Sequence, residues 1–161
     1  MTLIRMKEYL DQHKIKYVVI SHSLAYTAQG IAALTHISGK ELAKTVIVKV
    51  DGTLVMAVVP ASRHVDLRLL KAATGANTVA VAAEEDFKDR FPDCETGAMP
   101  PLGNLYGMPV LADESLTHDE EIAFNAGSHC ELVRMAWEDL ERLVHPKITK
   151  LTTRKTVASA A

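Results

Sequence analysis

The spacing of apolar residues changes several times along the chain, from helical periods to short β-branched runs. Residues 3–13 carry apolar side chains at helical spacing and predict an amphipathic helix. The clearest strand signal covers residues 43–61, where two apolar runs flank Asp51 and Gly52. This dipeptide favours a tight turn, and Pro60 is expected to end the second strand. The pattern therefore predicts an antiparallel β-hairpin.

The remaining patterns divide the chain between strands and short helices. They predict strands at residues 16–22, 77–82, 110–113, 121–127 and 130–135, and helices at residues 27–37, 64–75, 83–91 and 137–144. Thr27 is the predicted N-cap of one helix, and Asp66 and Gly75 are the predicted caps of another. Residues 92–109 are rich in Gly and Pro and show no period, which predicts a long loop of the kind that is often functional.

The order of these elements predicts a fold class. Strands and helices alternate irregularly, and hairpin-like connections join some of the strands. We therefore expect one α/β domain over residues 1–145, with a mixed or largely antiparallel sheet rather than a doubly wound parallel one. From Pro146 onward the sequence turns basic and then small, which predicts a loose basic tail at residues 146–161.

A lysine occupies an unexpected position at the start of the first hairpin strand. Alternate side chains of a strand share a face, so Lys44 lies on the same side as Val46 and Val48. That side is expected to be buried. The ammonium could reach water past the edge of the sheet, as lysines commonly do. Alternatively, its stem lines a pocket and its charge faces a ligand, because a cation is costly to bury without a partner.

Two loops also allow both a structural and a ligand-binding interpretation. The stretch Gly97 to Gly103, "GAMPPLG", could be a rigid surface turn or a loop that brings backbone groups close to a ligand. The stretch "NAGS" at residues 125–128 most simply forms a turn after a strand. It is also a weaker candidate for ligand binding, through Gly127 and Ser128.

Composition and charge exclude several classes of function. The 161 residues include 18 Lys and Arg against 20 Asp and Glu, so the basic excess of a non-specific nucleic-acid binder is absent. Any contact with a nucleic acid must be local. Cys94 and Cys130 form no CxxC pair and are expected to be free thiols. The sequence carries no recognisable signal peptide or membrane-length apolar stretch, which predicts a soluble cytoplasmic protein that binds no membrane.

Familiar catalytic motifs are also missing from the sequence. The histidines form no HxH, HxxxH or HExxH spacing, so we expect no metal site. No GxSxG is present, and Cys94 stands between two acids that would make its thiol less reactive. No Walker A or GxGxxG sequence occurs, and we expect no cofactor.

Five stretches in fixed order carry a family resemblance. They are "SHSLAYTAQGIAALTHI", "LAKTVIVKV", "LVMAVVPASRHVDLRLLKAATG", "FPDCETGAMPPLG" and "FNAGSHCELVRM". Together they resemble the YbaK / prolyl-tRNA synthetase-associated editing-domain family, from about residue 17 to about residue 145. The resemblance implies an α/β domain whose mixed, mostly antiparallel sheet curls into a partly open barrel with helices around it. It also implies hydrolysis of the ester that joins a wrong amino acid to the 3′ end of a tRNA, without a metal.

The resemblance further implies which residues form the site. The family's key lysine at a strand start matches Lys44, and its GxxxP loop matches Gly97–Pro101. Lys44 would orient the substrate and offset negative charge while water attacks, and the loop backbone would fix the ester and the water. The loop residues implied are Gly97, Ala98, Met99, Pro100 and Pro101. The side chains expected to bind substrate are His22, Leu24, Tyr26, Thr27, Thr45 and Val46, with Gly127 and Ser128 as weaker candidates.

Other functions remain open at this point. The same pocket could belong to a non-catalytic module that binds a small molecule or a tRNA 3′ end, or to a lysine Schiff-base enzyme. The expected partner is an aminoacyl-tRNA, bound through its 3′ end. An aminoacyl-tRNA synthetase is a further candidate partner, and no binding to DNA is expected. The basic residues Lys147, Lys150, Arg154 and Lys155 could contact an acceptor stem, or could simply be solvated.

Overall fold

The structure is a computed structural model, which describes residues 2–25 and 28–153. Its helices are α1 (Thr2–Gln12), α2 (Ala28–Thr35), α3 (Leu67–Thr74), α4 (Glu84–Phe87) and α5 (Trp137–Val144). Its strands are β1 (Tyr17–Ser21), β2 (Ala43–Val50), β3 (Thr53–Pro60), β4 (Val79–Val81), β5 (Val110–Asp113), β6 (Glu121–Asn125), β7 (Glu131–Ala136) and β8 (Lys147–Thr149). Short 3-10 helices lie at Lys88–Arg90, Gly103–Leu105 and Glu114–His118. Within these ranges no helix is long and apolar enough to cross a membrane.

The strands form two sheets, and the predicted hairpin lies at the centre of the larger one. Its five strands have the order β4-β2-β3-β5-β8, with β2 antiparallel to β3 and β4, and β5 parallel to β3 and β8. The smaller sheet, β1-β7-β6, is antiparallel throughout. Asp51 and Gly52 have φ angles of 48° and 84°, as a type I′ turn requires. The hairpin and the mixed α/β fold are therefore confirmed.

Among the described residues, one backbone bridge joins the two sheets, which do not close into a barrel. Leu42, just before β2, makes an isolated parallel bridge with Ala123 of β6. The amide of Ala123 donates to the carbonyl of Glu41 at 3.0 Å. Apolar residues of both sheets share the main core, including Ile47 of β2 and Phe124 of β6. The result is a partly open arrangement of the kind that the family resemblance implies.

Both faces of the hairpin are covered, whereas the sequence pattern singled out only the valine face. Val48 packs against Leu70 of α3 in a second apolar cluster. On the opposite face, Ile47 and Met56 lie in the main core. Because each face has its own cover, the strands are apolar on both sides, as in a buried sheet.

The caps predicted for α3 are both present. The Asp66 carboxylate accepts from the amides of Arg68 and Leu69, at 2.9 and 3.4 Å. Gly75 ends the helix with a φ of 67°, a left-handed conformation that favours glycine. The predicted cap Thr27 lies outside the described residues. The helix predicted at residues 83–91 is shorter than expected, because only Glu84–Phe87 is α-helical.

The predicted loose tail is wrong for residues 147–153. Residues Lys147–Thr149 form β8, which pairs in parallel with β5. Leu151 is fully buried, and the amides of Leu151 and Thr152 donate to the buried carboxylate of Asp113 at 2.8 and 3.0 Å. Three strand residues are too few to carry a recognisable period, and their partner strand lies far away in sequence.

Candidate active site

A cavity opens where the two sheets separate. Beyond the bridge at Leu42, β2 is not paired with β6, and its pairing with β4 begins only at Val48. In the gap between these points lies a cavity of about 160 Å³. Its lining residues are Ile31, Leu42, Ala43, Lys44, Thr45, Gly97 and Asn125. The cavity therefore joins the start of β2, the end of β6, helix α2 and the glycine-proline loop.

Lys44 supplies a positive charge to this cavity. Its side chain is partly buried, and desolvation lowers the pKa of the ammonium from its ordinary value of 10.5. Across the described ranges no carboxylate forms an ion pair with it. By contrast, Lys49 of the same strand pairs with Asp86 at 3.0 Å. A half-buried cation that no acid neutralises is well suited to an anionic or strongly polar ligand.

Gly97 is the point at which the glycine-proline loop reaches the cavity. Its φ is 85°, so the position favours glycine. A Cβ built there would meet the Cε1 atom of His129 at 3.6 Å. The absence of a side chain leaves the backbone at this position open to the cavity.

The two loops that the sequence analysis proposed for ligand binding are joined by hydrogen bonds. The amide of Gly127 donates to the carbonyl of Ala98 at 2.9 Å, and the amide of Glu95 donates to the carbonyl of Gly127 at 2.8 Å. The amide of Ala98 in turn donates to the carbonyl of Glu95 at 3.0 Å. Residues 95–98 are therefore fixed against the turn that follows β6.

His129, which the sequence analysis did not single out, belongs to the same arrangement. Its side chain is buried, and its amide donates to the Glu95 carboxylate at 2.8 Å. Its Nε2 lies 2.9 Å from the carbonyl of Thr96, so Nε2 carries the proton. His129 therefore orients the chain immediately before Gly97. The only sequence signal for it is its place directly after the turn residues.

Most of the predicted loop is buried and does not line the cavity. Ala98, Met99 and Pro101 are buried, and Pro100 is buried beside them. Met99 packs in the main core, while Pro101 borders a separate small cavity next to Trp137. The backbone amide and carbonyl of Ala98 are already hydrogen-bonded within the protein. Of Gly97–Pro101, Gly97 alone lines the cavity.

Of the side chains expected to bind substrate, some line the cavity and others do not. Thr45 lines the cavity, but Val46 packs towards α3. Leu24 is 55% exposed and lies outside the lining. His22 follows β1, where its Nδ1 lies 2.7 Å from the carbonyl of Ser23. Tyr26 and Thr27 lie outside the described residues.

The remaining predicted residue, Ser128, donates from its hydroxyl to Glu131 at 3.2 Å. It lies in the turn that follows β6 and is not among the residues that line the cavity. Within the described residues, no cluster of His, Cys, Asp and Glu side chains is arranged to hold a metal ion.

Asn125 is a lining residue that the sequence analysis named only as part of a turn. Its Oδ1 atom is closed to solvent and, among the described residues, has no hydrogen-bond partner. The same is true of the Oγ1 atom of Thr45. Such atoms are uncommon in proteins because burying a polar group without a partner is unfavourable. The sequence does not indicate either unpaired oxygen, because both depend on how β2 and β6 come together at the cavity.

Comparison with known proteins identifies the family. Residues 22–143 match the sequence profile of the aminoacyl-tRNA editing domain, which is most of the chain. The chain belongs to the aminoacyl-tRNA editing domain family. Two proline–tRNA ligases, from Bacillus mycoides (strain KBAB4) and Bacillus cereus (strain AH187), are each 28% identical to this editing domain over 86 residues. The matched part is 53% of the chain but 15% of each ligase, so the chain corresponds to a small part of those enzymes.

Solved structures share the fold of this editing domain. A protein proposed to be a trans-editing enzyme for prolyl tRNA synthetase superposes with a TM-score of 0.81, at 19% identity, over 95% of this chain and 98% of that one. A hypothetical protein superposes with a TM-score of 0.84, at 17% identity, over 92% of this chain and 99% of that one. At these identities the likeness concerns the fold.

Proposed function

We propose that this editing domain is a free-standing deacylase that hydrolyses the ester of a mischarged tRNA. The observation that carries the proposal is the half-buried ammonium of Lys44, unpaired with any described acid, in a small cavity that Gly97 also lines. The family to which the chain belongs adds support, because its name describes editing of aminoacyl-tRNA. The cavity at the junction of the two sheets, about 160 Å³ in volume, is of a size suited to an amino acid.

The proposed reaction is simple ester hydrolysis. Water adds to the ester carbonyl, the carbonyl oxygen becomes an oxyanion, and the bond from the carbonyl carbon to the ribose oxygen then breaks. The ribose oxygen leaves with one proton of the attacking water, the other proton passes to solvent, and the amino acid leaves as its carboxylate. Since the ester is already activated, the enzyme must chiefly position water and stabilise the oxyanion.

Lys44 provides the charge that this reaction needs. Its ammonium orients the substrate, by its carbonyl or by the terminal phosphate, and offsets the negative charge that develops. Partial desolvation strengthens this interaction, because the effective dielectric around the ammonium is lower than that of water. At Gly97 the missing side chain lets the ester approach the backbone closely.

The test is a deacylation assay with a panel of mischarged tRNAs. Because the ligase relatives act on proline and its tRNA by name, the panel includes tRNA for proline that carries other amino acids. We expect release of the amino acid from at least one substrate. Lys44→Ala should reduce the rate by roughly 100- to 1000-fold, the usual loss for one stabilising donor.

Lys49→Ala is the matched control, since Lys49 lies on the same strand and is paired with Asp86. It should retain the wild-type rate, and both variants should keep the wild-type circular dichroism spectrum. A full panel left intact by folded protein would contradict the proposal. If those substrates raise the melting temperature without turnover, the protein is a binding module instead.

A further inference from the structure

Two basic side chains share a groove that lies beside the cavity. The groove has a volume of about 300 Å³, and its lining residues are Lys40, Pro60, Arg63, Ser115, His118 and Asp119. Lys40 is exposed and Arg63 is half-buried. Neither forms an ion pair with a carboxylate of the described residues, so both cations are available to an anionic ligand.

The two chain segments that carry these cations are held together by their backbones. Lys40 directly follows Gly39, and Arg63 directly follows Ser62. The amide of Ser62 donates to the carbonyl of Gly39 at 3.4 Å, and a Cβ built on Gly39 would lie 3.2 Å from the Cβ of Ser62. Because Gly39 has no side chain, the segments approach closely. The fold therefore brings together two cations that are distant in sequence.

This Lys40–Arg63 groove adjoins the cavity across the β2–β3 ladder. Ala43 lines the cavity and is paired with Pro60, which lines the groove. Paired strands lie about 5 Å apart. Leu42, which also lines the cavity, accepts through its carbonyl from the amide of Ala61 at 2.7 Å. A nucleic acid whose 3′ end enters the cavity can therefore reach the groove with the nucleotides just before its terminal adenosine.

The basic residues that the sequence offered for an acceptor stem are less suited to this contact. Lys147 lies on β8, which β5 separates from β3 in the larger sheet. Its ammonium already donates to the carbonyl of Ala73 at 2.7 Å. Arg154 and Lys155 lie outside the described residues. The groove is the better candidate because its cations adjoin the cavity and are unpaired with any described acid.

We propose that the Lys40–Arg63 groove binds the phosphates of the tRNA 3′ strand that directly precede the aminoacylated adenosine. A guanidinium is well suited to such a contact, because its planar fork can donate two hydrogen bonds to one phosphate. A local site of this kind also agrees with the net charge of −2, which provides no general attraction for RNA. This inference rests on the proposed deacylase function and states where the RNA leaves its cavity.

Asp119 is an acid within the same groove, and it opposes a bound phosphate. Burial, and then the nearby carboxylate of Glu41, raise the pKa of Asp119, while His118 and Lys40 act in the other direction. An ionised carboxylate here repels a phosphate at short range. Asp119→Asn should therefore strengthen binding of the RNA, by roughly two- to threefold.

The first experiment measures binding of an uncharged RNA stem that ends in a single-stranded CCA, by fluorescence anisotropy at several salt concentrations. Lys40→Gln and Arg63→Gln should each weaken binding by roughly threefold. Each should also lower the slope of log affinity against log salt by about 0.7, the value for one phosphate contact in a single strand. The same stem without its CCA end should bind the variants and the wild type equally.

Two control variants remove a positive charge elsewhere on the surface. Lys147→Gln and Arg68→Gln should leave both the affinity and the slope unchanged, since neither residue lines the groove. Because Lys40 is exposed, Lys40→Glu should keep the wild-type melting temperature and weaken binding more than Lys40→Gln does. An unchanged slope in the groove variants, an equal loss on the stem without CCA, or no binding of the RNA to wild type would overturn the inference.

A second experiment separates the inference from the proposed function. It compares hydrolysis of an aminoacyl-tRNA with that of the same amino acid esterified to adenosine, which has no phosphate. The double variant of Lys40→Gln and Arg63→Gln should raise KM for the tRNA by roughly tenfold without changing kcat, and should leave kcat/KM for the adenosine ester unchanged. Equal effects on the two substrates would support the deacylase and overturn the inference. No turnover by wild type, with a lower salt slope in the groove variants, would remove the deacylase proposal and support the inference.

Discussion

At the scale of single residues, two lysines of β2 illustrate different uses of the same side chain. Lys49 is partly exposed and pairs with Asp86 at 3.0 Å. Lys44 is partly buried with no acid beside it among the described residues, and desolvation lowers the pKa of its ammonium. Its charge therefore destabilises the folded state. A residue of this kind is a candidate for a role in ligand binding or catalysis rather than in stability.

We therefore predict that Lys44→Met stabilises the protein at pH 7 while abolishing deacylation. Because the pKa of Lys44 is lowered from 10.5 on folding, its charged form is disfavoured in the folded state. This penalty is fully present below the folded-state pKa and is relieved as the pH rises from that value towards 10.5.

The measurement is urea unfolding of both proteins between pH 7 and pH 10.5. The stability advantage of Lys44→Met should shrink as the pH rises through this window. Lower stability of Lys44→Met at pH 7, or a stability advantage that does not depend on pH, would contradict the prediction. Either result would show that desolvation of this ammonium does not determine the difference in the free energy of unfolding.

At the scale of elements, sequence predicted best where the signal is local. The hairpin turn at Asp51-Gly52 and the caps of α3 are set by side chains within a few residues of each other, and both are confirmed. The residues beside the cavity are different. Asn125 and His129 acquire their contacts from segments distant in sequence, so no spacing rule indicates them.

The hairpin turn also has a contact that its sequence does not indicate. The Oδ1 atom of Asp51 accepts from the amides of Asn77 and Thr78, at 3.0 and 2.9 Å. The amide of Asp51 donates to the carbonyl of Thr78 at 2.9 Å. The turn therefore fixes the start of β4 against the hairpin.

We predict that Asp51→Ala lowers the free energy of unfolding by about 2 kcal/mol, because it exchanges two hydrogen bonds to a carboxylate for hydrogen bonds to water and places alanine at a positive φ. Asp51→Asn keeps an amide oxygen and tolerates this conformation, so it should lose less than half as much. Urea unfolding of the three proteins measures both values. Equal losses for alanine and asparagine would show that the side-chain contact with β4 contributes little.

At the scale of the whole molecule, sequence predicted the fold class and, through the family resemblance, Lys44 and Gly97 at one cavity. It did not predict that both faces of the hairpin are covered, or that residues 147–153 belong to the fold. The reason is physical. The cover on each face includes residues distant in sequence, such as Phe124 on one face and Leu151 on the other, and β8 is defined by its pairing with β5 rather than by its own pattern.

The segment after α5 connects three parts of the molecule. β8 pairs with β5, the carbonyl of Leu151 accepts from the amide of Asp66 at 2.7 Å, and the Leu151 side chain packs with Leu70 of α3. The N-cap of α3 and the edge of the larger sheet thus depend on one buried leucine and the chain around it. The segment should therefore contribute strongly to stability without forming any part of the cavity.

We predict that Leu151→Ala lowers the free energy of unfolding by about 3 kcal/mol, because it removes a fully buried side chain and leaves a void next to Leu70. Ile148→Ala, at a neighbouring position that is 38% exposed, should lose less than about 1 kcal/mol. Urea unfolding measures both, and the deacylation rate of each folded variant should stay close to that of wild type, since neither residue lines the cavity. Equal losses in the two variants would mean that residues 147–153 contribute no more to the folded state than a solvated tail.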